Sequence, residues 1–143
     1  MKVLFAAALL MPAFAFAQTS PVGLWKTIDD DGKTAKSLVR ISEQGGALVG
    51  NIEKLLDPKD PTDAKCEKCT DDRKNQPVLG LQIIRGVKPD GEGVWGQGEI
   101  LDPNNGKTYR TRLKPVDGGK KLEVRGYIGA PLFGRTQTWV RAE

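Results

Sequence analysis

Leu122-Glu-Val-Arg-Gly-Tyr-Ile-Gly-Ala-Pro-Leu-Phe-Gly-Arg-Thr-Gln-Thr-Trp-Val-Arg141 reads as two β-strands joined by a compact turn. The argument is period two. Leu122, Val124, Gly126 and Ile128 fall on one face, and Glu123, Arg125 and Tyr127 on the other. Beyond Gly129-Ala-Pro-Leu-Phe-Gly134 the alternation resumes, with Arg135, Gln137, Trp139 and Arg141 sharing a face opposite Thr136, Thr138 and Val140. Thr, Val and Trp suit a pleated surface. Gly129, Pro131 and Gly134 argue against a continuous helix.

Working back toward the N-terminus, the same pattern recurs. Val22–Ile28, Lys36–Glu43, Ala47–Leu56, Val78–Val87, Gly93–Leu101 and Lys107–Lys114 read as further strands, the Val78–Val87 run having a short helical turn as its alternative. In the last of them Tyr109, Thr111 and Leu113 oppose Arg110, Arg112 and Lys114. Turns are expected at Asp31-Gly32, Gln44-Gly-Gly46, Pro89-Asp-Gly91, Asn104-Asn-Gly106 and Asp117-Gly-Gly119. Ile100-Leu-Asp-Pro103 echoes Leu56-Asp-Pro58, which suggests two equivalent strand ends. About eight short strands joined by tight turns predict an all-β fold, an up-and-down antiparallel barrel or a sandwich. Hairpin connections and the removal of exposed edges favour the barrel. Eight strands enclose an interior that side chains can fill or that can hold one small ligand. Residues 57–77 break the rhythm. They are polar, Pro-containing and aperiodic, and they form either a lid over a barrel mouth or decoration.

The N-terminus has the order of parts of a secretory signal. Lys2 is followed by an apolar run from Val3 to Phe16 and a small-x-small cleavage site at Ala15-Phe-Ala17. Residues 1–17 are thus expected to be removed, and residues 18–143 to form one exported domain, periplasmic or secreted. The apolar run is too short for a good membrane span, and no Cys follows the cleavage point to carry a lipid. Charge is uneven. Residues 18–106 hold 12 basic and 15 acidic groups, whereas residues 107–143 hold 9 and 3, net +6. That excess is a solvated outer face or a cationic patch for an anionic ligand or lipid surface. No nucleic-acid-binding motif is present, and an exported protein rarely meets nucleic acid.

The chain has no His, which excludes the usual general base and Ser-His-Asp chemistry. Glu53, Glu99, Asp57 and Asp102 lie near strand ends, and turn solvation accounts for them as well as catalysis does. Cys66 and Cys69 are the only cysteines, spaced C-x-x-C. In an exported chain a local disulfide is the default reading, with redox chemistry or zinc as alternatives. Zinc would need acids such as Asp63, Asp71 or Asp72 to complete its shell. No metal, cofactor or catalytic residue is assigned, and the chain is read as a non-enzyme. Trp25, Trp95 and Trp139 lie on three strands, as core residues or as cavity walls. Trp95, Tyr109, Arg125, Tyr127 and Arg135 are the candidate ligand contacts.

Gly23-Leu-Trp25 on the first strand with Trp139-Val-Arg141 on the last resembles the calycin pattern of lipocalins and their relatives. The resemblance implies that an arginine of the last strand, Arg141 or Arg135, packs across Trp25 and closes one barrel end. A wider set of motifs is more specific: Ser20-Pro-Val-Gly-Leu-Trp25, Cys66-x-x-Cys69, Lys74-Asn-Gln-Pro77 with Gly80-Leu81, Ile100-Leu-Asp-Pro103, Gly106-Lys-Thr-Tyr109, Val124-Arg-Gly-Tyr-Ile-Gly129 and Gly134-Arg-Thr-Gln-Thr-Trp139. Together these resemble an uncharacterised bacterial family, the domain of unknown function numbered 2147, and they span nearly the whole chain after residue 18. The resemblance implies an exported calycin-like protein and carries no reaction. Three readings stand: a barrel binding a small, partly apolar or anionic ligand; an envelope interaction or maintenance protein with a filled barrel; and an enzyme using thiols or carboxylates. The expected partner is a small molecule or an envelope component.

Overall fold

The alternating stretches fold into a single closed sheet. The computed structural model describes residues 19–143, so the expected signal at residues 1–17 lies outside the described residues. The strands are β1 (Gly23–Ile28), β2 (Ala35–Gln44), β3 (Ala47–Leu55), β4 (Gln82–Pro89), β5 (Trp95–Asp102), β6 (Lys107–Val116), β7 (Lys121–Tyr127) and β8 (Gly134–Arg141). Each pairs antiparallel with the next, and β8 returns to β1 through Trp25 opposite Arg141 and Lys26 opposite Val140. The fold is therefore an eight-stranded up-and-down barrel. Among the described residues no helix is long and apolar enough to cross a membrane.

The two faces separate as the alternation requires. Val39, Ile41, Ile84, Val87, Leu113 and Leu122 are almost wholly buried. They pack with Trp25 into one hydrophobic cluster. Gly50 permits this packing on β3, since a Cβ there would lie 3.0 Å from Ile84. The β2–β3 turn, the β4–β5 turn and the 3-10 turn at Asp117–Gly119 all lie at one end of the barrel. At the other end lie the β1–β2, β5–β6 and β7–β8 turns and the long β3–β4 connection.

The fourth strand starts later than the apolar run Val78–Val87 suggests. Residues 78–81 form a turn, with Gly80 at φ +89° and Leu81 N–H bonded to the Val78 carbonyl. Val78 and Leu81 are apolar because they pack on the core from within the connection, not because they belong to a strand. The two Leu-Asp-Pro sequences, at Asp57 and Asp102, lie at the same barrel end. In each, the Asp carboxylate accepts a backbone N–H two residues on, from Lys59 at 3.0 Å and from Asn104 at 2.9 Å.

The β3–β4 connection is ordered by its own hydrogen bonds. Cys66 N–H donates to Gln76 O at 2.8 Å, and Asn75 N–H to Cys66 O at 2.9 Å. Cys66 and Cys69 form a disulfide, and both are buried. Arg73, only 4% exposed, donates to the Asp71 carboxylate at 2.5 Å and to the Gln82 carbonyl at 2.9 Å. That ion pair and the Arg73 backbone N–H hold the Asp71 carboxyl down at about 2. The excursion reaches the β5–β6 turn. Gly106, at φ +72°, sits so close to the Lys68 carbonyl that any Cβ would collide with it.

Candidate functional site

The inner face of β8 runs the length of the barrel and marks its functional division. At the closed end the Arg141 guanidinium lies over the Trp25 ring, 4.2 Å from its centroid. Its Nε donates to Gly119 O at 2.6 Å, and its terminal nitrogens to Val22 O at 3.0 Å and Ser20 O at 3.2 Å. Of the two arginines considered for this place, Arg141 occupies it. Gly23 is required beside it, because a Cβ at that position would strike the guanidinium. The indole N–H of Trp25 donates to Pro21 O at 2.7 Å, so the fully buried ring leaves no polar atom unpaired. Arg141 therefore seals one end.

One turn of the pleat inward, Trp139 is buried opposite Leu122 and forms part of a cavity wall. Above it the barrel is hollow. A cavity of about 370 Å³ opens at the end carrying the long connection. Ile52, Ile83, Ile100 and Val124 contribute its apolar walls. Thr27 and Ser37 add a polar spot, their hydroxyls 2.8 Å apart in a buried hydrogen bond. Pro61, Ala64 and Val78 of the long connection also line it, so this segment covers part of the mouth.

A polar network climbs from the wall to the rim. The Trp139 indole N–H donates to Gln137 Oε1 at 3.0 Å; the Gln137 amide donates to Asp30 at 3.0 Å; Arg135 donates to the same carboxylate at 2.5 Å. Farther round the rim, on β2, Lys36 bridges Asp57 at 2.9 Å and Asp60 at 2.8 Å. These partners raise the Lys36 pKa and lower that of Asp57. Asp29, Asp30, Asp60 and Asp102 line the cavity with only Lys36 and Arg135 against them, so the mouth is formally acidic.

The candidate ligand contacts are divided by this geometry. Tyr109 and Arg135 line the mouth, and the Tyr109 hydroxyl accepts from the Asn105 amide at 3.1 Å. Arg125 lies on the outside, where parity on β7 points it, whereas Tyr127 at the end of β7 is buried and lines a small cleft beneath the β7–β8 loop, outside the main cavity. Arg125 is spent on the β7–β8 loop, donating to Pro131 O at 2.6 Å and to Thr136 Oγ1 at 2.8 Å. Trp95 opens β5 at the sealed end and packs against the core there, away from the cavity. Sequence reasoning passed over Ile52, Ile100, Thr27 and Ser37, whose inward parity was readable, and Asp30 and Lys36, whose partners come from elsewhere in the chain.

A closed eight-stranded barrel, sealed at one end by Arg over Trp and hollow at the other, defines a calycin-like protein. Its fold is similar to that of protein HP1028 from the human pathogen Helicobacter pylori, described as belonging to the lipocalin family. The TM-score is 0.75, with 20% identity over 87% of this chain and 84% of that one. No curated protein matches the sequence. Residues 23–141 match the family described as "Uncharacterized protein conserved in bacteria (DUF2147)", and the chain belongs to that family.

Proposed function

We propose that this protein is an exported, non-enzymatic barrel that holds a small, partly apolar ligand in its open half. The cavity of about 370 Å³ above Trp139 carries this reading. Its volume falls in the range of small-molecule sites, and apolar walls with a few polar groups are the usual makeup of such sites. The acidic mouth favours a ligand whose exposed end is neutral or cationic. The anionic ligand suggested by the basic final strands loses its support, because Arg110, Arg112, Lys114 and Arg125 point outward. A hollow interior also favours ligand binding over a filled barrel acting only through its surface. Thiol chemistry has little to recommend it: Cys66 and Cys69 are 0% and 1% exposed and bonded to each other. Asp30 and Asp60 are engaged by Arg135 and Lys36 and stand as structural acids.

The test uses N-phenyl-naphthylamine, a neutral and partly apolar fluorophore, titrated into the purified protein while tryptophan emission is followed. Saturable binding with quenching of Trp139 is expected. Ile100→Trp, which fills the cavity from β5, should weaken it about tenfold or more at a stability cost of about 1–3 kcal/mol. Absence of saturable probe binding, together with native mass spectra of protein from its own cells showing no retained small molecule, would overturn the reading.

A further inference from the structure

The β7–β8 loop, residues 128–133, is Ile-Gly-Ala-Pro-Leu-Phe and carries no charge. Its three large apolar side chains face water: Ile128 is 67% exposed, Leu132 81% and Phe133 73%. Contiguous exposure of this kind is uncommon on a free surface and marks a contact. The loop is also held in place. Arg125 grips the Pro131 and Leu132 carbonyls, and Phe133 N–H bonds to Ala130 O at 3.0 Å. The fold thus presents the apolar tip outward, where burying it against the barrel would have been the cheaper arrangement.

The surface beside the tip is cationic. Cross-strand register aligns Arg110 with Tyr127 and Gly134 in one row, and Arg112 with Arg125 and Thr136 in the next. Two guanidiniums placed directly opposite each other repel. Among the described residues neither Arg110, Arg112 nor Arg125 forms an ion pair. The buried Nε of Arg112 has no hydrogen-bond partner at all. Glu99 opposite Arg110 and Glu123 opposite Lys114 offset only part of this charge. The mouth is acidic, so the positive field belongs to the outer wall next to the loop.

We propose that this loop and the arginines of the adjacent outer face dock the barrel onto an anionic lipid surface, with the outer wall beside the loop against the headgroups. Apolar side chains at a loop tip enter the headgroup and acyl boundary, while flanking arginines meet the lipid phosphates. Neither ingredient suffices alone: three apolar side chains bind weakly, and the arginines are screened by salt. The two together explain why the loop is uncharged and why guanidiniums without a carboxylate partner are clustered at its base. A cleft between Tyr127, Ile128, Leu132 and Phe133 shares Tyr109, Gly126 and Arg135 with the cavity lining. The docking tip is therefore continuous with the mouth.

Co-sedimentation with vesicles tests this. Full-length mature protein is mixed at low salt with vesicles of equal parts phosphatidylglycerol and phosphatidylcholine, or of phosphatidylcholine alone. Binding to the anionic vesicles only is expected. Leu132→Ser with Phe133→Ser should weaken it about tenfold or more. Arg110→Gln should weaken it about fivefold, and added salt should release the protein. All three positions are exposed, so circular dichroism melts should match the parent. Absence of binding, or a double variant that binds like the parent, would overturn the proposal. So would a concentration-dependent dimer, formed without vesicles and abolished by the same double variant, which would make the occupant a second copy. Ile100→Trp should leave vesicle binding intact, so docking and cavity binding fail separately.

Discussion

Arg141 does three things at one position: it stacks on Trp25, ties the chain ahead of β1 to β8 through Ser20 and Val22, and bonds the 3-10 turn at Gly119. Replacing it by Met keeps some apolar cover but leaves those carbonyls without a donor. We expect Arg141→Met to lose about 2–4 kcal/mol in urea unfolding, since it removes a cation–π contact and several charge-assisted hydrogen bonds at a partly desolvated site. Its inward parity with Trp139 was legible from period two. That Arg141 and not Arg135 meets Trp25 was not, because the two arginines share a face and differ only in distance from the seam. Arg135, six residues nearer the mouth, instead meets Asp30, more than a hundred positions away in the chain.

Among the elements, the β3–β4 connection departs most from its sequence. Its polar, aperiodic composition left a lid over the mouth and decoration as alternatives; Cys66, Cys69 and Arg73 are buried in it, and Ala64 and Val78 line the cavity. Ion pairs through Asp57, Asp60, Asp71 and Asp72 add to its backbone hydrogen bonds, so acid should loosen it. Asp71 titrates at about 2 when folded against an ordinary 3.8, and Asp57 and Asp72 are also lowered. The folded form therefore binds fewer protons than the unfolded one. Stability is full above the ordinary carboxylate pKa and is lost as pH falls through the folded value. Melting temperature should be level near neutrality and decline between about pH 4 and pH 2. Protection factors of amides in residues 56–81, taken relative to intrinsic exchange, should fall over the same range before those of β6 and β7. An Asp71→Asn variant should flatten part of the decline.

The whole molecule is a solid half joined to a hollow half, and its opening should be uneven accordingly. Amides of β2, β6 and β7 near Val39, Leu113 and Leu122 are expected to exchange slowest, and those of the β1–β2 and β7–β8 loops fastest. Comparable protection throughout, measured by hydrogen exchange and mass spectrometry, would contradict this division. Strand number, turn positions, the antiparallel class and the face of nearly every strand residue were readable locally, because a pleated strand alternates every residue and Gly, Asn, Asp and Pro mark its ends. Three things were not local. Whether an inward residue meets packed neighbours or a void depends on the volumes of residues from all the other strands. Whether an outward cation is paired depends on cross-strand register. Whether a polar connection lies over the mouth depends on contacts such as Lys68 against Gly106, which no spacing announces. The alternation of β7 and β8 thus specified a barrel wall; only closure decided that Arg135 borders a cavity, Arg141 seals its far end, and Arg125 holds a loop outside it.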